Sequence, residues 1–335
     1  MRRIFVPFAV LLAIAAAYSG YWFYIAAKLR SGVTPWAEAR RAEGYTLRWD
    51  DLRVDGFPAA FRLHFQHPSI AGSRPVPFTA IGDTLIGEAR PWDLRDWHVT
   101  APAGAHIAAP NHGDGFTAGT LEGSLLLGPT RPTRLDLDAR DIAGNSIAGV
   151  LHIAEADAHI TLPEQRPVDH RGTAASATLH LSGIDLPQPL PPPFGRTIDA
   201  VALTGTFKGV LPSGPLRDAL AAWRDDGGTV DITDSSLHWG DLMVTATGTL
   251  ALDDALQPVG ALTAKIEGQD AIVDAVVAGG GLQPGDAHFA KVFLGLMAKA
   301  GADGRRRLTL PLRLQDDRAY LGPAQIAALP RFTWE

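Results

Sequence analysis

The stretch SLHWGDLMVTATGTL, Ser236 to Leu250, sets a His, a Trp, an Asp and two Gly within a few positions of one another. Leu237 and Trp239 share one parity, and beyond Gly240-Asp241 the residues Leu242, Val244, Ala246 and Leu250 share the other. Side chains alternate along a strand, so a hairpin turning at Gly240-Asp241 accounts for the change of parity. His238 then points away from Trp239, toward water. Gly248 falls on the apolar parity, where a missing side chain allows a bulge or the close approach of another layer. The stretch reads as a hairpin with a Trp anchor, not as a reaction centre. The face carrying Trp239, Leu242, Val244, Leu250 and Leu252 is the candidate surface for an apolar ligand.

The same alternation recurs outward from this hairpin. Tyr45, Leu47 and Trp49 share a parity, as do Phe61, Leu63 and Phe65, then Leu135, Leu137 and Ala139, then Ala177, Leu179 and Leu181. Polar residues fill the sites between, so each strand has one buried and one wet face. Gly, Asp-Asp and Asn-containing turns separate these runs at the spacing of a β-meander. Pro311 lies on the polar face of the Leu308–Leu314 alternation and points to an edge strand. Helices are expected over Gly214–Trp223, over DAIVDAVVA from Asp270, and from Asp286, where Phe289, Val292, Phe293, Leu296 and Met297 form one stripe that would lie as a lid on a sheet. The expected fold class is mainly β with a few helices (α+β): an antiparallel meander or curved sheet in two lobes after a transmembrane helix. Five prolines from Pro187 to Pro193 mark 187–195 as the joint. The expected organisation is a cytoplasmic tip and anchor over 1–30, a first lobe over 31–186, and a second lobe with helices over 196–335. LRWDDLRV (Leu47–Val54) and LHWGDLMV (Leu237–Val244) share L-x-W-x-D-L-x-V, a weak internal echo of the kind that duplication leaves.

The N-terminus carries the strongest signal. From Ile4 to Ala27 there is no charge until Lys28, a span of roughly 36 Å as a helix against a hydrocarbon core of about 30 Å. Tyr21, Trp22 and Tyr24 suit the aromatic belt at its far end. Ala15-Ala16-Ala17 resembles a cleavage site, but the apolar run continues past it, which favours an uncleaved anchor. Arg2 and Arg3 place the N-terminus in the cytoplasm. TPWAEARRAEG after the anchor reads as a short separate helix capped at Thr34.

Composition excludes several chemistries. The chain has no Cys, so it forms no disulfide, thiolate nucleophile or lipoprotein linkage. A net charge of −6 argues against a nucleic-acid partner. His64 and His67 are three apart and fall on opposite faces of a strand. The Gly-rich runs at 112–119 and 144–149 lie within the meander and read as hairpin turns, not phosphate cradles. Asp-Asp pairs at 50–51, 225–226, 253–254 and 316–317 sit where turns belong. No nucleophile elbow, phosphate loop or calcium-loop pattern appears. No enzyme activity, metal site or cofactor is therefore expected.

W-R-D-D-G-G at Trp223–Gly228, L-x-W-G-D-L, T-G-T-L-A-L-D at 247–253, P-V-G-A-L at 258–262, YLGP, LPRF and WDDLRVDGFPAAF at Trp49–Phe61 together resemble a bacterial domain-of-unknown-function family, numbered twenty-one twenty-five. That resemblance implies a single-span envelope protein of Gram-negative bacteria and carries over no catalytic residue. More distantly, G-T-L-A-L-D is similar to the repeats of AsmA-like envelope proteins. That likeness implies a curved sheet with an apolar inner face and a role in moving phospholipid between membranes. The expectation is a single-pass inner-membrane protein with a periplasmic body, whose partners are the membrane through Ile4–Ala27 and a phospholipid or another envelope protein. Protease added to spheroplasts is expected to degrade the body; complete protection would contradict this topology.

Overall fold

A computed structural model describes residues 2–72, 78–108, 115–146, 149–190, 193–212, 214–278, 283–300, 306–322 and 324–334. The chain opens with helix α1 (Arg2–Ala42) and then turns into strands. β1 (Tyr45–Arg48) and β2 (Asp51–Asp55) form one broken line. β3 (Phe61–Gln66) and β4 (Ser69–Gly72) form the next, followed by β5 (Phe78–Gly82) with β6 (Thr84–Arg90), and β7 (Asp93–Ala101) with β8 (Ala105–Ala108). β2 pairs with β3 and β1 with β4, then β4 with β5 and β3 with β6, then β6 with β7 and β5 with β8, all antiparallel. Both halves of the fourth line pair with the single strand β9 (Gly115–Leu127).

From β9 the meander runs on through β10 (Pro132–Ser146), β11 (Gly149–Thr161), β12 (Thr173–Leu190), β13 (Gly195–Lys208), β14 (Thr229–Trp239), β15 (Leu242–Leu252) and β16 (Pro258–Glu267). Each pairs with its predecessor. Helix α2 (Leu216–Asp225) sits between β13 and β14; α3 (Gln269–Ala278), α4 (Pro284–Met297) and the two-residue β17 (Lys299–Ala300) follow β16. β18 (Arg306–Gln315) then pairs with β16, β19 (Arg318–Leu321) with β18, and β20 (Ala324–Ala328) with β19. The result is one large curved antiparallel sheet, in the mainly β class expected.

The turns follow local chemistry. Trp239 pairs with Leu242 across Gly240-Asp241, and Gly240 takes φ +57, as the first central position of a type II′ hairpin turn requires. Asp316 and Asp317 both have positive φ between the paired Gln315 and Arg318, the pattern of a type I′ turn. A crease crosses the sheet where His67, Gly104, Asp141 and Gly183 adopt left-handed backbone. At Gly104 a Cβ would lie 1.8 Å from the carbonyl oxygen of Ala118, so only glycine fits there.

Several expectations change. TPWAEARRAEG is no separate helix: α1 runs unbroken through Thr34 and Pro35 to Ala42. Proline removes one helical hydrogen bond, and packing of Val33 and Ala37, which is fully buried, holds the helix through it. Trp22 lies inside the protein, not in an aromatic belt; it is buried, and its indole N–H donates to the carbonyl of Ala60 at 3.0 Å. β18 is internal, with β16 on one side and β19 on the other, and Pro311 stands where the β19 ladder stops, its carbonyl accepting from Gly322 N–H. The two L-x-W-x-D-L-x-V segments fold differently. Asp50-Asp51 carries the chain straight on from β1 to β2, whereas Gly240-Asp241 reverses it. Of the 187–195 segment, the part up to Leu190 ends β12 and Gly195 opens β13, two strands that pair with each other from Thr173 to Asp185 and again at Leu190; Pro191 and Pro192 lie outside the described residues.

The C-terminal segment is tied back by a buried amide. Gln257 donates to the carbonyl oxygens of Ala255 and Phe332 and accepts from the Phe332 N–H at 2.9 Å, while Trp334 Nε1–H donates to Leu256. Replacing Gln257 with Ala leaves these backbone groups without partners, at a cost of roughly 1–3 kcal/mol. Urea denaturation of the detergent-solubilised Gln257→Ala chain should show a lower midpoint; an unchanged midpoint would contradict this.

Candidate functional site

Paired residues in an antiparallel ladder lie on the same face of the sheet. The registers can therefore be followed from strand to strand. Starting at Phe61, the partners are Ala89, Trp97, Leu125, Leu135, Ile160, Ala177, Gly205, Ile232, Gly248, Leu262, Leu312 and Leu321. No position in that row is polar. The row beside it, from Arg62, reads Glu88, His98, Ser124, Asp136, His159, Thr178, Thr204 and Asp234. No position in that one is apolar. The next row returns to the first face: Leu63, Gly87, Val99, Gly123, Leu137, Ala158, Leu179, Leu203 and Ser235. Its one polar member is tied down, since Ser235 Oγ–H donates to the carbonyl of Ala246 at 2.8 Å.

β14 would break this order without a correction. It carries one residue more than either neighbour, between Ile232 and Ser236. This bulge returns Leu237 and Trp239 to the apolar face after Ile232 has used the other parity. Gly248 lies in the apolar row close against β16: a Cβ there would come 2.3 Å from the Ala261 carbonyl oxygen.

The apolar face is covered at its ends and open in its middle. At one end α1 lays Trp22 and Ala26 on Leu52, Phe61 and Leu63, with Trp97 and Leu94 alongside. At the other, Leu242, Ile266 and Leu308 form a second core with Ile272 of α3 and Leu294 of α4. α2 closes a third point, where Trp223 stacks on Phe207 at 4.6 Å and its N–H donates to Lys208. Between these covers, Leu135, Leu137 and Leu203 remain 40%, 39% and 39% exposed.

All five residues singled out from the sequence lie on this face. Trp239 and Leu242 are buried, Trp239 against Phe194, whose carbonyl accepts its N–H at 2.8 Å. Val244, Leu250 and Leu252 are half-buried. The open part of the face lies farther toward β10–β13. Its signal was the alternation at Leu135–Ala139 and Ala177–Leu181, which marks a buried face without saying what covers it. The α4 stripe does not form a lid. Phe289 is 75% and Leu296 78% exposed, with Val292, Phe293 and Met297 also outward, and Leu294 makes the inward contact.

The polar face is a ladder of charge and hydrogen bonds. Arg62 Nε lies 2.6 Å from Glu88, Ser124 Oγ–H donates to Asp136 at 2.6 Å, His159 also bonds to Asp136, and Thr178 meets Thr204. Burial works against the Asp136 charge, but the hydrogen bonds from Ser124 and His159 outweigh it and hold its carboxyl below the usual range. Lys208, 2.5 Å away, and Thr249 do the same for Asp231. Asp138 behaves oppositely. Hydrogen bonding to Asp157 directly across the ladder, burial, and the nearby charges of Asp157, Glu122 and Asp136 push it up. Concavities of about 400, 420 and 610 Å³ open at the crease beside His67 and His106, beside Asp241 and Asp274, and on the polar face at Arg62 and His98. Among the described residues no three His, Asp or Glu side chains converge as a metal site requires.

A family model described as "Uncharacterized protein conserved in bacteria (DUF2125)" matches residues 22–330. The chain belongs to this family. The DUF2125 match takes in α1 from Trp22 onward and every strand of the sheet. No curated protein and no solved structure matches this DUF2125 chain, and a similarity to AsmA-like proteins is not shown.

Asp138 is harder to ionise in the folded chain than in the unfolded one, so stability falls as pH rises through its folded pKa and recovers on acidification. Asp138→Asn should therefore stabilise the protein at pH 7 by roughly a few tenths of a kcal/mol, as removal of a facing like-charge pair does. The gain should vanish in acid. A melting temperature at pH 7 equal to or below that of the parent would contradict this.

Proposed function

We propose that this is a single-pass protein of the bacterial inner membrane whose periplasmic sheet holds phospholipid acyl chains, or another apolar ligand, against the open middle of its apolar face. The observation that carries this reading is the apolar face whose central leucines are left exposed: Leu135 in the unbroken row, and Leu137 and Leu203 in the row next to it on the same face. Soluble proteins seldom leave a contiguous apolar patch uncovered without a partner for it. The uncovered part is aliphatic, made of Leu, Ile, Val, Ala and Gly. Protein interfaces are anchored mainly by Tyr, Trp and Arg, whereas an acyl chain needs only continuous aliphatic surface, at about 0.8 kcal/mol for each methylene buried. α1 supports the anchoring, being long and apolar enough over Ala9–Ala42 to cross a membrane. Arg2 and Arg3 favour a cytoplasmic N-terminus, which sets the body in the periplasm. The reading is of a carrier, not an enzyme.

The outward stripe of α4, with Phe289, Phe293 and Leu296 exposed, favours a second reading: an envelope scaffold that binds another protein through this helix. Native mass spectrometry of the detergent-extracted protein separates the two. A carrier retains phospholipid at fixed stoichiometry, and the double variant Leu137→Glu/Leu203→Glu, altered at half-exposed positions that leave the core intact, loses it by tenfold or more. An empty parent protein that co-purifies with one partner, lost on Phe293→Glu, would instead establish the scaffold.

A further inference from the structure

α1 is docked on the sheet for much of its length, and this limits what is free to cross a membrane. Tyr18 O–H donates to the carbonyl of Pro58, and Tyr21 O–H donates to that of Pro91 at 2.9 Å. Trp22 is buried, stacked on Phe61 at 5.1 Å, and Ala26 is buried beyond it. The helix leaves the body only before Tyr18, and residues 9–17 are exposed. From Ile4 to Ala17 the free apolar segment is about 20 Å long at 1.5 Å per residue. A hydrocarbon core is about 30 Å thick. The free segment falls short by roughly 10 Å, and the distance is made up only at Tyr24, about 30 Å from Ile4.

That stretch of helix is where two hairpin tips of the body meet it. The β2–β3 connection holds Phe57, 47% exposed, among Tyr18, Trp22 and Phe23, and its ring stacks on Phe23 at 5.6 Å. The β6–β7 turn holds Trp92, 71% exposed, next to the Pro91 that Tyr21 bonds. The two tips lie at the same end of the sheet, since Phe61 pairs with Ala89. With Tyr21, Phe23 and Tyr24, exposed by 43%, 61% and 60%, they form a collar of exposed aromatics. Lys28, over the Tyr24 ring at 5.8 Å, and Arg90, two residues before Trp92, supply positive charge beside it, while Arg95 pairs with Asp93 at 3.9 Å. Aromatic rings with cationic neighbours are what the headgroup layer of a bilayer accepts.

We propose that the Phe57 and Trp92 tips are seated in the interfacial layer of the bilayer that α1 spans. The body is thereby fixed to the membrane at its β2–β7 end. This rests on the anchoring reading of α1 and adds a second, independent contact. The seat places the start of the apolar row at the membrane, because Trp22 touches both Phe57 and Phe61.

The absence of Cys makes single-site labelling clean. The full chain is reconstituted into phosphatidylcholine/phosphatidylglycerol vesicles. An environment-sensitive fluorophore is placed in turn at Phe57→Cys, Trp92→Cys, Leu11→Cys in the anchor, and Asp241→Cys at the opposite end of the sheet. Nitroxide-bearing lipid should quench the labels at 57, 92 and 11 severalfold more than the label at 241. Labels at 57 and 92 that match 241 while 11 is quenched would overturn the seating and leave the anchor standing. A label at 11 that also escapes quenching would overturn both.

Discussion

The structure depends on register. Every strand from β3 to β19 must keep step with its neighbours, because the side-chain period is two and a slip of one residue would turn that strand's apolar set to the wet face. The row from Phe61 to Leu321 runs from β3 to β19 without a polar residue, and the row beside it is polar from Arg62 to Asp234. Short hairpins at Gly240-Asp241 and Asp316-Asp317 set local register. The β14 bulge restores it where the sequence parity changes. Cross-strand pairs on the polar face, such as Arg62–Glu88 and Ser124–Asp136, would be mismatched by any slip.

Much of this was legible in the sequence, because period-2 alternation is a local property. The hairpin at Gly240-Asp241, the outward His238 and the strand faces at Leu63, Leu137 and Leu179 follow from parity alone. What parity does not encode is which face is covered, and by what. Trp22 reads as an interfacial aromatic in an apolar run, and only the distant carbonyl of Ala60 turns it into a core residue. The α4 stripe has the periodicity of a buried helix, yet Leu294 makes the contact and Phe289 and Leu296 face outward. Pro35 argues for a new helix, but tertiary packing at Val33 and Ala37 outweighs one missing hydrogen bond. The crease at His67, Gly104, Asp141 and Gly183 depends on four separate strands meeting at one level, which no local pattern reveals.

The covers on the apolar face explain how such a sheet folds while part of it stays open. α1 and α3–α4 close the two ends and α2 a third point, and their cores contain the most buried large side chains, Phe61 and Trp223 among them. The strands between hold their place through long ladders on both sides, so they need no helix over them. The middle of the sheet is therefore free to meet an apolar ligand without loss of the fold. The polar face, with its paired charges, stays in water.

The central claim is that one face of the central strands, and not the other, touches lipid. Photocrosslinking in living cells tests it most directly, with a photoreactive amino acid placed in turn at Leu137, Asp138, Ala202 and Leu203. Leu137 and Leu203 lie in one apolar row, while Asp138 and Ala202 lie in one row of the opposite face. Phospholipid adducts at 137 and 203 but not at 138 and 202 are the predicted result. Adducts at all four positions, or at none, would contradict it.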